Sequence, residues 1–346
     1  MITQLNSNRP LRVLIPERRS FNLNSQSVYV RVVEPMKWLE KRGYVEFAIA
    51  SEFDNNAICM LKWADIVIFN KHSSDNAFRL ATVAKNLNKK IIYDVDDNIF
   101  NVPRNLNVFS RNPIESSRII ELADVIVVEN KYLYKVLQEY HTTIEIIPNA
   151  INFEIYGNKP HIPTRHQEKI CLFSSYVPSL NKFIHTFIEV INKIRFINKN
   201  IRFDLYGNNS MNLPVHRVIP PSGFADFMLS IVSASPHMGI VPIWGDEDPS
   251  SLAYRDCKSP IKYIMYGLAG IPTVYTNVTP YKGHVTNEET GLLVDNNFES
   301  WIEAMERICK DVHLRNKIIK NAYYDIKNNF DMKESALKYY HILKSC

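Results

Sequence analysis

Short apolar runs recur along the chain, separated by stretches with the 3.6-residue spacing of amphipathic helices. Most runs are continuous rather than alternating, which is typical of strands buried on both faces of a parallel sheet. Strand–helix alternation over most of the length predicts α/β architecture. The predicted strands are Leu11–Ile15, Val45–Ala50, Ile66–Phe69, Ile91–Asp94, Val125–Val128, Ile144–Ile147, Ile170–Phe173, Arg202–Tyr206, Val215–Ile219, Met238–Val241, Thr273–Tyr275 and Gly291–Val294.

The first predicted helix follows the first strand. Its apolar face ends near Gly43, a residue type common just after helix C-termini. Pro35 falls inside the pattern and predicts a kink, because proline removes one helical hydrogen bond. The residues of the apolar face are Val28, Val32, Met36 and Leu39.

A polar, proline-bearing stretch at 157–168 interrupts the alternation halfway along the chain. It predicts two domains of similar size, at 1–158 and 169–330, joined by a linker at 159–168. Residues 331–346 predict a final helix, in which Asp331 and Glu334 have capping-box spacing. The residues that would dock this helix are Met332, Ala336, Tyr339, Tyr340 and Leu343.

Composition and charge narrow the class of protein. The 346 residues are 46% hydrophobic and 22% charged, ordinary values for a soluble globular chain. The net charge of +5 is too small to indicate nucleic acid binding, but it suits anionic substrates or an anionic membrane surface. The five cysteines are scattered, so we expect neither a disulfide framework nor a zinc site. The same pattern predicts a protein of the reducing cytoplasm. No apolar signal core opens the chain, and no run approaches the roughly 18 residues of a spanning helix.

Ligands of parallel sheets bind beyond the carboxyl ends of the strands. Asp94, Asp96 and Asp97 stand together at one such end. They could act as a general base, bind a divalent metal or cap the following turn, and no histidine or acidic cluster elsewhere favours the metal. His72 also follows a strand, but a lone histidine is more often a satisfied structural residue. Neither a glycine-rich dinucleotide fingerprint nor a P-loop motif occurs.

The segment Lys258-Ser259-Pro260-Ile261-Lys262 has the features of an anion site. Ser259 is a good N-cap and Pro260 suits the first helical position. Lys258 and Lys262 then crowd the positive end of a helix, an unfavourable arrangement that a bound phosphate or diphosphate would reverse. In the alternative reading, nearby carboxylates neutralise the lysines. These are Asp246, Glu247, Asp248 and Asp256.

Several motifs together resemble family 4 of the GT-B glycosyltransferases, the retaining "group 1" enzymes. The resemblance covers almost the whole chain. The C-terminal block CKSPIKYIMYGLAGIPTVYTNVTPYKGHVTNEETGLLV at 257–294 is the most specific. The N-terminal markers are YVRVVEPMKWLEKRGY at 29–44, ADIVIFNK at 64–71, IIYDVDDNIF at 91–100 and ADVIVVENKYLYKVL at 123–137. The YDVDD block is similar to that of members that build surface polysaccharides.

This resemblance implies two Rossmann-like domains facing across a cleft, with the final helix crossing back to the first domain. A nucleotide-sugar donor would dock on the second domain and a glycan or lipid-linked acceptor on the first, near Asp94, Asp96 and Asp97. Transfer would proceed with retention and without a metal or cofactor, because protein cations and the helix dipole stabilise the leaving diphosphate. The resemblance places donor binding at Lys258, Ser259, Pro260, Lys262, Lys182 and Thr279.

The chain departs from this pattern at one pair of positions. Many relatives carry two glutamates eight residues apart, where this chain has Cys257 and Met265. Neither side chain accepts hydrogen bonds as a carboxylate does. The hypotheses are therefore an active glycosyltransferase, a non-catalytic glycosyltransferase-like subunit that binds a partner or glycan, or a GT-B epimerase or phosphorylase.

Peripheral contact with the inner face of a membrane is a further option. Basic residues near the N-terminus and on the first helix either touch lipid or form a solvated face. They are Arg9, Arg12, Arg18, Arg19, Lys37, Lys41 and Arg42.

Overall fold

The computed structural model describes residues 9–18, 26–103, 113–157, 160, 169–174, 180, 182–243 and 248–345. These residues form two compact units. Unit 1 takes in the described residues up to 99, then 113–148 and 332–345. Unit 2 takes in 100–103 and the described residues of 149–331. The predicted domain boundary at 158 lies beyond the change of unit after Pro148, because Ile151 pairs with Asp331 and the helix at 153–156 packs against unit 2. Most of the predicted linker lies outside the described residues.

Unit 1 is built on a six-stranded parallel sheet of order β2-β1-β3-β4-β5-β6. Its strands are β1 (Leu11–Glu17), β2 (Val45–Ser51), β3 (Ile66–Asn70), β4 (Lys90–Val95), β5 (Val125–Val128) and β6 (Ile144–Ile146). Its helices are α1 (Gln26–Val28), α2 (Glu34–Glu40), α3 (Asn55–Trp63), α4 (Asp75–Asn86), α5 (Pro113–Leu122), α6 (Lys131–Leu137) and α15 (Met332–Ser345).

A π-helical turn, Tyr29–Val33, joins α1 to α2. The backbone N–H of Glu34 bonds to the carbonyl of Tyr29, five residues back. Pro35 lies in the first turn of α2 and lacks the N–H that would continue regular α-helix. The kink predicted at Pro35 is therefore a widened turn, and it turns Arg31 into the core, where 2% of that residue is exposed.

Unit 2 has a second six-stranded parallel sheet of order β12-β11-β10-β7-β8-β9. Its strands are β7 (Lys169–Ser174), β8 (Ile201–Tyr206), β9 (Arg217–Ile219), β10 (Met238–Val241), β11 (Thr273–Thr276) and β12 (Leu292–Val294). Its helices are α7 (Phe153–Tyr156), α8 (Ile184–Ile197), α9 (Phe224–Ala234), α10 (Pro249–Asp256), α11 (Ile261–Leu268), α12 (Thr279–Lys282), α13 (Phe298–Lys310) and α14 (Val312–Asn329).

Aromatic packing fastens α8 and α13 to the sheet of unit 2. Trp301 is fully buried, and its ring lies 5.9 Å from that of Phe187, which in turn lies 5.5 Å from that of Phe173 on β7. Gly239 on β10 allows a close approach, since a Cβ there would lie 2.6 Å from Oγ1 of Thr273 and 2.8 Å from the ring of Tyr266. This packing fixes the strand ends around which the polar residues of unit 2 gather.

All twelve predicted strands are confirmed, with ends displaced by at most two residues. The docking face of the final helix is confirmed as well. Met332, Ala336, Tyr339 and Leu343 are buried, and the ring of Tyr340 lies 4.7 Å from that of Tyr44.

Candidate functional site

Unit 2 contains a polar pocket of about 750 Å³ at the carboxyl ends of β11 and β12. This volume is within the range of small-molecule sites. Two of the predicted donor-binding residues, Lys182 and Thr279, line it. The other lining residues are Phe183, Thr186, Arg255, Thr276, Asn277, Val278, Lys282, Asp295, Asn296 and Asn297.

Hydrogen bonds between strand ends hold one wall of this pocket. Thr276 Oγ1 accepts from the backbone N–H of Ile243 at 2.9 Å and donates to Asn296 Oδ1 at 3.0 Å. Asn296 Nδ2 donates to the carbonyl of Ile243 at 2.5 Å. The wall is thus set before any ligand enters. Lys182, Arg255 and Lys282 give the pocket three cationic side chains against the single carboxylate of Asp295.

The other predicted donor residues do not line this pocket. Lys258, Ser259 and Pro260 lie on the loop from α10 to α11, and Lys262 is in the first turn of α11. The expectation that Ser259 caps the helix and Pro260 opens it is wrong. Helix α11 begins at Ile261, and Ser259 Oγ instead accepts a hydrogen bond from Asn149 Nδ2 at 2.6 Å. A contact between residues far apart in sequence has replaced the local cap.

The two lysines of this segment have different surroundings. Lys258 Nζ donates to the hydroxyl of Tyr254 at 3.0 Å and lies 4.2 Å from the centre of its ring. Lys262 Nζ lies 5.4 Å from the ring centre of Phe227, and burial lowers the pKa of its ammonium to about 8. A buried ammonium with a lowered pKa is stabilised by a nearby anion.

Two of the four carboxylates considered as neutralising partners are engaged elsewhere. Asp248 caps α10 by accepting from the backbone N–H groups of Ser250 and Ser251. Asp256 pairs with Arg255 at 2.7 Å, which also occupies the carboxylate nearest to the position of the first missing glutamate. Asp246 and Glu247 lie outside the described residues.

Cys257 and Met265, which stand where many relatives carry glutamates, are buried apolar side chains. Cys257 is 3% exposed, and Met265 is fully buried on the core side of α11. The structure therefore places no carboxylate at either point.

Unit 1 holds the three predicted catalytic aspartates, and its structure separates them into two environments. Asp94 is fully buried at the end of β4, and its carboxylate has three side-chain partners. Arg31 Nη2 bonds to it at 2.6 Å, Asn70 Nδ2 at 2.6 Å and Tyr339 Oη at 2.6 Å. This saturation supports a structural role for Asp94.

The ion pair also changes the titration of its partners. Burial alone would lower the pKa of Arg31, but the charge of Asp94 outweighs it and raises that pKa above its usual value. Burial, followed by the Asp94 charge, raises the pKa of the Tyr339 hydroxyl well above its usual value. Both groups therefore hold their protons more strongly than they would in water.

Asp96 and Asp97 form the second environment, around a single cation. Lys71 Nζ lies 2.5 Å from Asp96 Oδ1 and 3.2 Å from Asp97 Oδ2. Lys71 is 3% exposed and has a positive φ of 50°, a strained conformation for a residue with a Cβ. Its backbone N–H bonds to the carbonyl of Asp94, which holds the β3 end against the β4 end. The arrangement leaves two carboxylates and one ammonium at one sheet edge.

His72 adds a buried ring next to this group. Both of its ring nitrogens are buried, and neither has a hydrogen-bond partner in the structure. Burial, and then the charge of Arg18, lower the pKa of His72 well below 6.5, so the ring is neutral at pH 7.

Within the described part of the chain, no group of three or more His, Cys, Asp or Glu side chains is arranged to hold a metal ion. No described helix combines the length and the apolar character that crossing a bilayer requires.

Most of the basic residues considered for membrane contact in unit 1 have partners nearby. Arg9 pairs with Asp65 at 2.8 Å and Arg12 with Glu46 at 3.3 Å. The guanidinium of Arg42 lies 3.5 Å from the ring centre of Trp38. Arg18 donates to the carbonyl of Lys71, Lys37 lies over Tyr29, and Arg19 is outside the described residues.

No protein-family model matches the sequence, and no curated protein matches it. Solved structures do match. A glycosyltransferase from Rickettsia africae is 15% identical with a TM-score of 0.68, over 97% of this chain and 98% of that one. HepE from Anabaena, solved with UDP and glucose, is 10% identical with a TM-score of 0.68, over 97% and 100%. The sucrose-phosphate synthase of Thermosynechococcus elongatus is 13% identical with a TM-score of 0.65, over 97% and 99%.

The chain has the GT-B fold. The two parallel six-stranded sheets and the likeness over nearly the whole length agree with the expected fold class. At these identities the likeness establishes the fold alone.

Sequence reasoning missed several residues of both sites. Arg31 and Tyr339 escaped notice as partners of Asp94, although Arg31 is the one charged residue in the otherwise apolar run Val28–Val33, a usable signal. Lys71 was noted only as part of a loop after β3. Arg255 and Lys282 carried no signal, because only the fold brings them to the pocket with Lys182.

Proposed function

We propose that this protein is a retaining glycosyltransferase that moves a sugar from a nucleotide-sugar to a polysaccharide, glycolipid or glycoprotein acceptor. The observation that carries the proposal is the cationic pocket of unit 2, at the strand ends of a GT-B fold and next in sequence to the Lys258–Lys262 segment. Structural neighbours were solved with UDP, so a uridine nucleotide is the first donor class to test.

In this proposal, Lys182, Arg255 and Lys282 stabilise the negative charge that develops on the leaving diphosphate. Lys258, in the loop before α11, and Lys262, in its first turn, add to this field. The reaction then needs neither a metal nor a cofactor, because protein cations supply the compensation that a divalent ion would otherwise give.

In unit 1, Asp96 and Asp97 are the proposed groups that receive the proton of the acceptor hydroxyl. Lys71 Nζ lies within 3.2 Å of both carboxylates and holds them at one strand end. A carboxylate there can accept the proton that an acceptor hydroxyl loses as the new glycosidic bond forms.

The first test is a thermal-shift panel with UDP, GDP, CMP and their common sugar conjugates. A site filled at a hundred times its dissociation constant stabilises the folded protein by roughly 2.7 kcal/mol. We expect a shift with one nucleotide class. Lys282→Ala should weaken the affinity for that nucleotide at least tenfold, since a charged hydrogen bond contributes about 1.5–3 kcal/mol. The matched control is Lys320→Ala, an exposed lysine on α14. No shift with any nucleotide would overturn the proposal.

The second candidate function is a non-catalytic subunit that binds a partner or glycan. The buried Cys257 and Met265, in place of the paired glutamates, favour it. Sugar transfer by the purified chain, abolished by Lys182→Ala, would exclude this candidate. Nucleotide binding without transfer to any glycan, lipid-linked or peptide acceptor would support it.

A further inference from the structure

Helix α8 of unit 2 ends in a large aromatic side chain that faces solvent. Phe196 is 76% exposed, the highest value for a large hydrophobic residue in the described part of the chain, and the neighbouring Ile197 is 36% exposed. Exposed apolar side chains are ordinary when they are isolated. This one has the cations Lys193, Arg195 and Lys199 beside it.

The sequence around Phe196 is moderately basic. From Glu189 to Asp226 it contains five lysines and arginines and three acidic residues, a net charge of +2. One of the acidic residues, Asp204, pairs with Arg202 at 2.8 Å. The remaining cations are Lys193, Arg195, Lys199 and Arg217.

Three of these cations, Lys193, Arg195 and Lys199, lie beside Phe196. A groove of about 470 Å³ is lined by Asn192, Arg195, Phe196, Lys199, Ile201 and His216. Arg195 is held in place by a hydrogen bond of 3.2 Å to the carbonyl of Pro214. Lys193 Nζ lies 5.8 Å from the ring centre of Phe196, and Lys199 and Arg217 are exposed. We call Lys193, Arg195, Phe196 and Lys199 the basic-aromatic patch.

The patch lies at the end of the sheet opposite to the polar pocket. It includes the last turns of α8 and Lys199 in the turn that leads into β8, whereas the pocket is at the carboxyl ends of β11 and β12. Cations at a helix C-terminus complement the helix dipole, which accounts for some of the charge. The dipole does not account for an exposed phenylalanine among those cations.

We propose that the basic-aromatic patch binds the surface of a membrane that contains anionic lipids. An apolar ring flanked by lysine and arginine side chains matches the two layers of such a surface. The cations lie at the level of the negative headgroups, and Phe196 enters the boundary with the acyl chains. Long cationic side chains keep their charged ends in the headgroup layer while their stems pack against the ring.

This inference does not rest on the proposed function. Vesicle binding is measured without nucleotide or transfer, and nucleotide binding is measured without vesicles. Either property can fail while the other stays intact, so the two failures are distinguishable.

The experiment is vesicle co-sedimentation of the whole protein. One set of vesicles is pure phosphatidylcholine, and the other contains about one-third phosphatidylglycerol. We expect binding to the anionic vesicles to be at least tenfold tighter and to weaken with salt. The double variant Lys193→Gln/Lys199→Gln should bind about 25-fold more weakly, at roughly fivefold for each cation.

Matched controls separate the patch from net charge and from general hydrophobicity. Lys320→Gln/Lys338→Gln removes the same charge from exposed positions elsewhere and should change vesicle binding less than threefold. Phe196→Ser should weaken binding roughly tenfold. Leu229→Ser, at a residue 65% exposed on α9, should leave it unchanged. Far-ultraviolet circular dichroism establishes that each variant is folded.

Three results would overturn the proposal. The first is equal binding to neutral and anionic vesicles. The second is equal loss of binding in the patch and control double variants. The third is binding to soluble polyphosphate without binding to vesicles, which would make the patch a site for a soluble polyanion.

Discussion

The hydroxyl of Tyr339 donates a hydrogen bond of 2.6 Å to Oδ2 of Asp94, across 245 residues of sequence. The same carboxylate also accepts hydrogen bonds from Arg31 in the π-helical turn and from Asn70 at the end of β3. Helix α15 is thereby joined to the centre of the sheet of unit 1 by a polar contact as well as by its apolar face. The strand end held by this contact is the one that leads into Asp96 and Asp97.

We expect Tyr339→Phe to destabilise the protein by about 1.5–3 kcal/mol, because it removes a buried hydrogen bond to a charged group. Arg31 and Asn70 remain on Asp94, so the charge is not left alone. Urea unfolding followed by circular dichroism measures the change. Tyr340→Phe is the control, since Tyr340 is half-buried and stacks on Tyr44. An equal effect of both variants would contradict the role of the Tyr339 hydroxyl.

The buried ion pair between Arg31 and Asp94 can be tested by replacing first one partner and then both. Arg31→Met leaves an uncompensated carboxylate in the core and should cost about 3–5 kcal/mol. The double variant Arg31→Met/Asp94→Leu removes both charges, and we expect it to be more stable than Arg31→Met alone. The free energy of unfolding of each variant decides the point. A double variant that loses the sum of the two single losses would show that the residues are not coupled.

Lys71 should affect transfer without affecting donor binding. Lys71→Met removes the ammonium that lies between Asp96 and Asp97, so the two carboxylates repel each other and lose the geometry proposed for accepting the proton. We expect turnover to fall by about 100-fold, while the dissociation constant of the nucleotide stays within twofold. Lys71→Arg, which keeps the charge, should retain more activity. A parallel loss of nucleotide affinity would place Lys71 outside this role.

Nucleotide affinity should fall as the pH rises above 8. The pKa of Lys262 is about 8 in the free protein, and a bound diphosphate raises it, so binding above pH 8 takes up a proton. From pH 7 to pH 9 we expect the dissociation constant to increase by about tenfold, measured by calorimetry in two buffers. Lys262→Arg stays charged over this range and should flatten the profile.

The same lowered pKa has an effect on stability that runs in the opposite direction. Between about pH 8 and 10.5 the unfolded chain holds more protons on Lys262 than the folded chain does. As the pH rises through that window, Lys262 should therefore increase the free energy of unfolding of the ligand-free protein. Lys262→Met should remove the contribution.

Two glycines give a matched pair for packing in unit 2. Gly239→Ala places a Cβ 2.6 Å from Thr273 Oγ1 and 2.8 Å from the Tyr266 ring, and we expect a loss of about 1–3 kcal/mol. Gly283→Ala meets nothing within 4 Å at a negative φ and should be neutral or slightly stabilising. Thermal unfolding of both variants checks the difference. A similar loss at Gly283 would show that the Cβ contacts are not the cause.

The strands were predictable because strands buried on both faces carry continuous apolar runs, such as Val125–Val128, and these stand out in the sequence. The cap at Ser259 was predicted wrongly for a physical reason. Local capping preference is worth about 1 kcal/mol, and a tertiary hydrogen bond from Asn149 took the hydroxyl instead.

The candidate site was predictable only in part. The Asp94–Asp97 block and the lysines around the start of α11 are visible as local clusters of charge. Their partners are not, because Arg31, Lys71 and Tyr339 reach those aspartates only after the sheet has formed. Lys182 and Lys282 are separated by 100 positions along the chain, yet both line the pocket of unit 2. Local sequence patterns carry no information about which distant residues come to line the same pocket.

The return of α15 to unit 1 sets the order in which a ribosome can deliver finished structure. Unit 2 is almost continuous in sequence, and all of it has been synthesised before Met332 is added to the chain. Unit 1 is begun first, but Asp94 lacks its Tyr339 partner until α15 has been synthesised. During translation the nascent unit 1 therefore exposes the apolar surface that Met332, Ala336 and Leu343 later cover. This is the period in which a chaperone would have the most surface to hold.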